Sequence, residues 1–130
     1  MIVHGPQVGR WVAEQTGGAW HGQGAGLGVV RGDRVLSGVL VESYNGASCL
    51  AHIACSVAHR EFVDLIRVAF RYMFDQLKVN VIIGRVAETN VKCRALVARL
   101  GFVEACRIEG GCVDGALVIY TVKRDECRYL

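Results

Sequence analysis

Residues 47 to 83 contain no glycine, although the chain has 16: eleven fall in the first 46 residues and five after residue 83. Within that stretch Phe62, Leu65, Ile66, Ala69, Phe70, Met73, Phe74 and Leu77 recur at steps of three and one. Arg60, Glu61, Asp64, Arg67, Arg71 and Asp75 fall mostly outside the stripe. This spacing predicts an amphipathic helix of about five turns with one face on a sheet. Ser48 to Val57 before it and Val79 to Ala87 after it read as strands. Strand, helix, strand is a crossover unit, so the strands near 50 and 83 are expected to run parallel, linked right-handedly.

The flanking segments are shorter. Pro6 to Gln15 fits a helix that begins at a proline and ends before Gly17-Gly18. The loop from Gly17 to Gly24 carries Trp20 and His21, which could line an acceptor pocket. Leu27 to Arg31 and Val35 to Tyr44 form a hairpin about Gly32-Asp33, and Asn45-Gly46 signals a second turn into Ser48–Val57. Asn90 to Leu100 reads as a second amphipathic helix ended by Gly101, followed by strands Phe102 to Glu109 and Ala116 to Lys123. The fold class is α+β: a mixed, mostly antiparallel sheet of six or seven strands with a central parallel pair and flanking helices. The absence of repeats and linkers makes residues 1–130 one domain.

Composition excludes several classes of function. At 52% hydrophobic the chain is not disordered, and no apolar run approaches the roughly 20 residues of a membrane span. The opening residues lack a secretory pattern, so a cytoplasmic protein is expected. The net charge of +3 is dispersed and argues against nucleic acid. The six cysteines form no close pair of metal-ligand spacing, so free thiols, mostly buried, are expected and no metal site.

The run Asn90-Val-Lys-Cys93-Arg-Ala-Leu96-Val-Ala-Arg-Leu100-Gly101-Phe102 resembles the closing motif of the GNAT superfamily of acetyl-CoA-dependent N-acetyltransferases, N-x-x-(S/A/C)-x-x-L-x-x-x-L-G-F. The order of elements agrees, and the resemblance covers about residues 25 to 123. The C-terminal Asp125 to Leu130 is similar to the tail of small phage and prophage members, which would place the protein in a bacterial host cytoplasm. The resemblance implies acetyl-CoA as co-substrate and a primary amine as acceptor: a protein N-terminus, a lysine or a small amine. It further implies that the parallel strands splay, so that Ile53, Ala54 and Cys55 pair with the pantetheine arm as with another strand. The diphosphate would lie at the start of the long helix, near His59 and Arg60. Asn90 would reach the pantetheine amides, and Cys93 would lie one turn further on, near the thioester sulfur. An edge strand or apolar face would make a homodimer possible.

Direct attack by an amine needs a base, and an acid or water for the departing thiolate. His52, Glu42, Tyr44, Glu88 and Tyr120 are candidates near the splay. His52 is the preferred base, for its ordinary pKa of about 6.5, and Tyr120 the preferred acid. Two positions depart from the family pattern. Ser56 to Val63 lacks the glycines of the family's diphosphate loop, so phosphate binding is looser or rebuilt with side chains such as Arg60. Val97 stands where many members carry a tyrosine acid. Plainer readings coexist with the functional ones: Asn90 as helix N-cap, Cys93 as a small apolar residue, Arg60 as a solvated charge, His52 and Tyr120 as packing residues. The competing function is a GNAT-fold module that no longer catalyses and binds acyl-CoA or protein.

Overall fold

The apolar stripe after residue 60 does form a helix across one face of a sheet, in a computed structural model that describes residues 1–17, 22, 24–56 and 59–130. The elements in chain order are β1 (Ile2–His4), α1 (Pro6–Gln15), β2 (Ala25–Arg31), β3 (Arg34–Glu42), β4 (Ser48–Cys55), α2 (Phe62–Arg71), β5 (Val81–Ala87), α3 (Val91–Arg99), β6 (Val103–Cys112) and β7 (Gly115–Lys123). The sheet order is β1-β2-β3-β4-β5-β7-β6. Every pairing is antiparallel except β4 with β5. That parallel pair includes Leu50 opposite Ile83, as the crossover requires.

Two layers of helix cover the sheet. Val8, Val12 and Ala13 of α1 pack with Leu40 and Ala54 on one face. On the other, Leu65, Ile66 and Phe70 of α2 and Val97 of α3 pack with Val39, Ile53, Ile82, Val118 and Tyr120. Close approach of α1 depends on glycine: a Cβ at Gly26 would lie 2.5 Å from the Gly9 nitrogen.

Several boundaries differ from expectation. β1 was not anticipated, because three residues are too few to show a period; it pairs with β2 from Ile2–Val29 to His4–Leu27. The long helix is α-helical only to Arg71 and finishes in a π-helical turn, Tyr72–Gln76, that keeps Met73 and Phe74 in the core. Asn45-Gly46 does not make a two-residue hairpin. Its loop runs from 43 to 47, and Asn45 Oδ1 accepts from the amides of Ala47 and Ser48 at 2.9 and 2.8 Å. β6 continues past Gly110-Gly111 to Cys112, because a register shift between Ile108 and Cys112 absorbs the glycines. The thiols are less buried than expected: Cys49 is buried, Cys106 is exposed, and the other four are intermediate.

Candidate functional site

β4 and β5 pair over Ser48–Leu50 and Val81–Ile83 and then part. Each strand continues along its other neighbour, β4 to Cys55 on β3 and β5 to Ala87 on β7. Two strands held on their outer edges and released on their inner ones open a wedge between them. The wedge belongs to a cleft of about 880 Å³, in the size range of small-molecule sites.

Ile53, Ala54 and Cys55 line the cleft from β4, and Gly84 to Ala87 line it from β5. The end of α1 contributes Gln15 and Thr16, and α3 contributes Lys92, Cys93, Leu96 and Arg99. Asn90 also lines the cleft. Its Oδ1 accepts from the Cys93 amide at 3.1 Å, which makes it the N-cap of α3. The plainer reading of Asn90 is thus structurally present, and its Nδ2 has no hydrogen-bond partner among the described residues. Burial pushes the Cys93 thiol above its ordinary range, so it stays protonated near neutral pH.

His52 lines the same cleft. It lies opposite Leu40 across β3 and β4, hence on the face covered by α1. Its Nε2 is 2.7 Å from Glu42 Oε1, and the two side chains are 17% and 24% exposed. Glu42 therefore accepts from Nε2–H and leaves Nδ1 as the basic atom of the ring. His59 forms the wall at the foot of α2. Its Nε2 lies 2.8 Å from the hydroxyl of fully buried Ser37, while its Nδ1 is buried with no hydrogen-bond partner among the described residues.

The structure does not gather every expected residue. Tyr120 is 5% exposed and belongs to the core under α2 and α3, on the opposite side of the sheet from His52. Its hydroxyl accepts from Arg94 Nε at 3.1 Å, and Tyr120 is not a cleft-lining residue. Apolar Leu117 and Ile119 alternate with Val118 and Tyr120, so polarity along β7 could not tell its two faces apart. Arg60 is exposed and also stands outside the lining. Tyr44 donates to the Leu77 carbonyl at 3.1 Å, and Glu88 is bound to Arg107 at 2.7 Å. Trp20 and His21 lie outside the described residues, as do Val57 and Ala58 of the segment that replaces the glycine loop.

Sequence reasoning missed Arg85, Lys92 and Arg99 in the lining. Arg85 had a signal: one cation inside the otherwise apolar run of β5, where alternation sets it opposite in facing to core residues Ile82 and Val86. Among the described residues no group of three or more His, Cys, Asp and Glu stands together to hold a metal, and no helix is long and apolar enough to cross a membrane.

No protein-family model matches the chain, and no curated protein matches it in sequence. Solved structures do match in fold. A spermidine N-acetyltransferase from Vibrio cholerae, in complex with CoA and spermine, superposes with a TM-score of 0.68 at 18% identity over 78% of this chain and 66% of that one. A probable acetyltransferase gives 0.66 at 18%, covering 78% and 61%. The Campylobacter jejuni N-acetyltransferase PseH in complex with acetyl coenzyme A gives 0.61 at 16%, covering 79% and 70%. The chain thus spans about two thirds of the length of these structures. At such identities the likeness shows the fold, which is the GNAT acetyltransferase fold.

Proposed function

We infer that the protein transfers an acetyl group from acetyl-CoA to a primary amine, by direct attack with both substrates bound. The observation that carries this reading is the parting of β4 and β5 after three residue pairs, with the His52–Glu42 pair on one face of the sheet and the start of α3 on the other. Acetyl-CoA supplies an acyl group already activated as a thioester. Ile53 and Ala54, followed by Cys55, offer an extended backbone for its amide-bearing arm to lie along. Asn90 Nδ2 donates to an amide carbonyl of that arm, and the thiol of Cys93 sits beside the sulfur. Lys92 and Arg99 take the phosphates, which supplies with side chains what the missing glycines would have left to backbone. Arg60 has no part in this arrangement.

His52 acts on the amine. With Nε2–H held by Glu42, its Nδ1 accepts a proton from the incoming ammonium, and the carboxylate stabilises the imidazolium that results. The amine nitrogen then forms its bond to the carbonyl carbon as the carbon–sulfur bond breaks. The second proton shed by nitrogen balances the one taken up by the departing thiolate, and His52 releases its own to solvent. Water in the open cleft delivers the thiolate proton, since Tyr120 is engaged by Arg94 on the other face. Burial raises the Cys93 thiol and so disfavours its thiolate, which favours the ternary complex over a covalent acetyl-enzyme.

Thermal unfolding and thiol release test this reading together. Acetyl-CoA at about a hundred times its Kd adds about 2.7 kcal/mol, which raises the Tm of a 130-residue domain by about 10 °C. CoA thiol should then appear with a panel of amines, and His52→Ala should slow it roughly 10²-fold. A Tm rise without thiol release assigns the chain to the non-catalytic acyl-CoA-binding class. No rise at millimolar acetyl-CoA overturns cofactor binding altogether.

A further inference from the structure

The cleft has an electrostatic sign. Its lining contains Arg85, Lys92 and Arg99 and no Asp or Glu. Residues 18–23 and 57–58, most of which lie outside the described set, contain no Asp or Glu either. Glu42 reaches the cleft only through His52, 2.7 Å away. A polycationic amine would therefore meet like charge with no carboxylate of the lining to offset it.

The three cations are not equivalent in place. Lys92 and Arg99 belong to α3, on the face assigned above to the acetyl donor. Arg85 is on the other face, the face of His52, and the two residues stand on β5 and β4 on either side of the wedge. Ile83 and Ala87 share its face along β5, and Ile119 lies opposite it on β7. Arg85 is exposed and makes no ion pair among the described residues, so its guanidinium is open to a ligand. An unpaired guanidinium among apolar neighbours, beside an imidazole held by a carboxylate, is a place for a molecule with an amine at one end and an anion at the other.

We propose that the acceptor is an amine that also carries an anionic group, a carboxylate or a phosphate, bound by Arg85 so that its amine faces His52. The proposal rests on the acetyl-transfer reading and narrows its acceptor to amino acids, acidic peptide ends or amino-sugar phosphates, as against polyamines.

Matched pairs of acceptors test it. Thiol release from acetyl-CoA is measured with L-phenylalanine against L-phenylalaninamide, with glucosamine 6-phosphate against glucosamine, and with spermidine. The anionic member of one pair should win in kcat/KM by about tenfold or more, and the winning pair tells carboxylate from phosphate. Spermidine should be the poorest substrate. Arg85→Gln should bring the winning ratio to within about twofold of one, and Arg85→Lys should restore part of it. Preference for the neutral members or for spermidine overturns the proposal, as does a ratio that Arg85→Gln leaves intact. If no amine is acetylated, the acetyl-transfer reading fails on its own terms, and the proposal is judged by binding. The anionic member must then raise Tm more than its neutral twin in the wild type and lose that advantage in Arg85→Gln. Equal shifts overturn it. Circular dichroism confirms that the variants fold.

Discussion

Asn90 carries two readings that one substitution series separates. Its Oδ1 accepts from the Cys93 amide at 3.1 Å and satisfies one of the amides that the first turn of α3 leaves without a partner. In the proposed function its Nδ2 also holds the pantetheine arm. Asn90→Ala removes both, while Asn90→Ser keeps a capping oxygen and removes the amide donor. Loss of a cap costs about 1 kcal/mol, within a range of about 0.5–2. Unfolding entropy of about 2.1 cal/mol/K per residue gives about 0.27 kcal/mol/K for 130 residues. Asn90→Ala should therefore lower Tm by about 4 °C, and Asn90→Ser by about 1 °C or less. The lost hydrogen bond to the arm is worth about 1 kcal/mol, a factor of about five in the KM for acetyl-CoA, and both variants lose it. Scanning calorimetry reads the first quantity and initial-rate kinetics the second. Serine with a wild-type KM would show that Asn90 does nothing but cap α3. Alanine with a wild-type Tm would refute the capping geometry itself.

Gly26→Ala sets a Cβ 2.5 Å from the Gly9 nitrogen and 2.9 Å from the Gly5 carbonyl oxygen, so α1 must shift off β2. Overpacking of this kind costs about 1–3 kcal/mol, and calorimetry should find Tm lowered by about 4–11 °C; an unchanged Tm would refute the packing of α1. Timed alkylation read by mass spectrometry should label exposed Cys106 first. Cys49 should be labelled last, because it is 1% exposed and burial pushes its thiol up to about 11. In the same spectra, incubation with acetyl-CoA alone should leave no acetyl group on the chain, and an acetylated Cys93 would replace direct attack with a covalent route.

How much of this was legible in sequence depended on the length of each pattern. The stripe from Phe62 to Leu77 repeats often enough to reveal a helix, and with the strands on either side it implies the parallel pair at Leu50 and Ile83. The end of the α-helix at Arg71 was not legible, since the π-helical turn keeps the same residues buried. The wedge was expected from the GNAT resemblance, and the ladder parts at Leu50–Ile83, close to where it was sought. His52 and Glu42 were both candidates, yet their pairing was not foreseen. It arises from antiparallel register, which sets Leu40 opposite His52 and Leu50 opposite Glu42, so that Glu42 and His52 become diagonal neighbours on one face. The place of Tyr120 away from the cleft was not legible for the converse reason: both faces of β7 are apolar, and no periodicity chooses between them.

The same wedge has a mechanical consequence. It divides the sheet into two halves, β1-β2-β3-β4 and β5-β7-β6, joined through the sheet by three residue pairs. The apolar layer beneath α2 and α3 also spans the divide, gathering Ile53 and Val39 of one half and Ile82 and Val118 of the other into one cluster. Backbone groups of Ile53 and Ala54 that turn toward the wedge find no strand across it, and buried peptide groups seldom remain unpaired. In the free protein water must meet them. The arm of the proposed acetyl donor would meet them better, because it supplies donors and acceptors along a line and excludes the water as it does so. In the proposed function binding and sheet completion would be one event, and the ligand would stabilise the chain by joining its two halves as well as by mass action. In the proposed function, the stretch of β4 that a uniform sheet would have used for its own ladder is left to the acetyl donor, and the apolar layer under α2 and α3 holds the halves together in its absence.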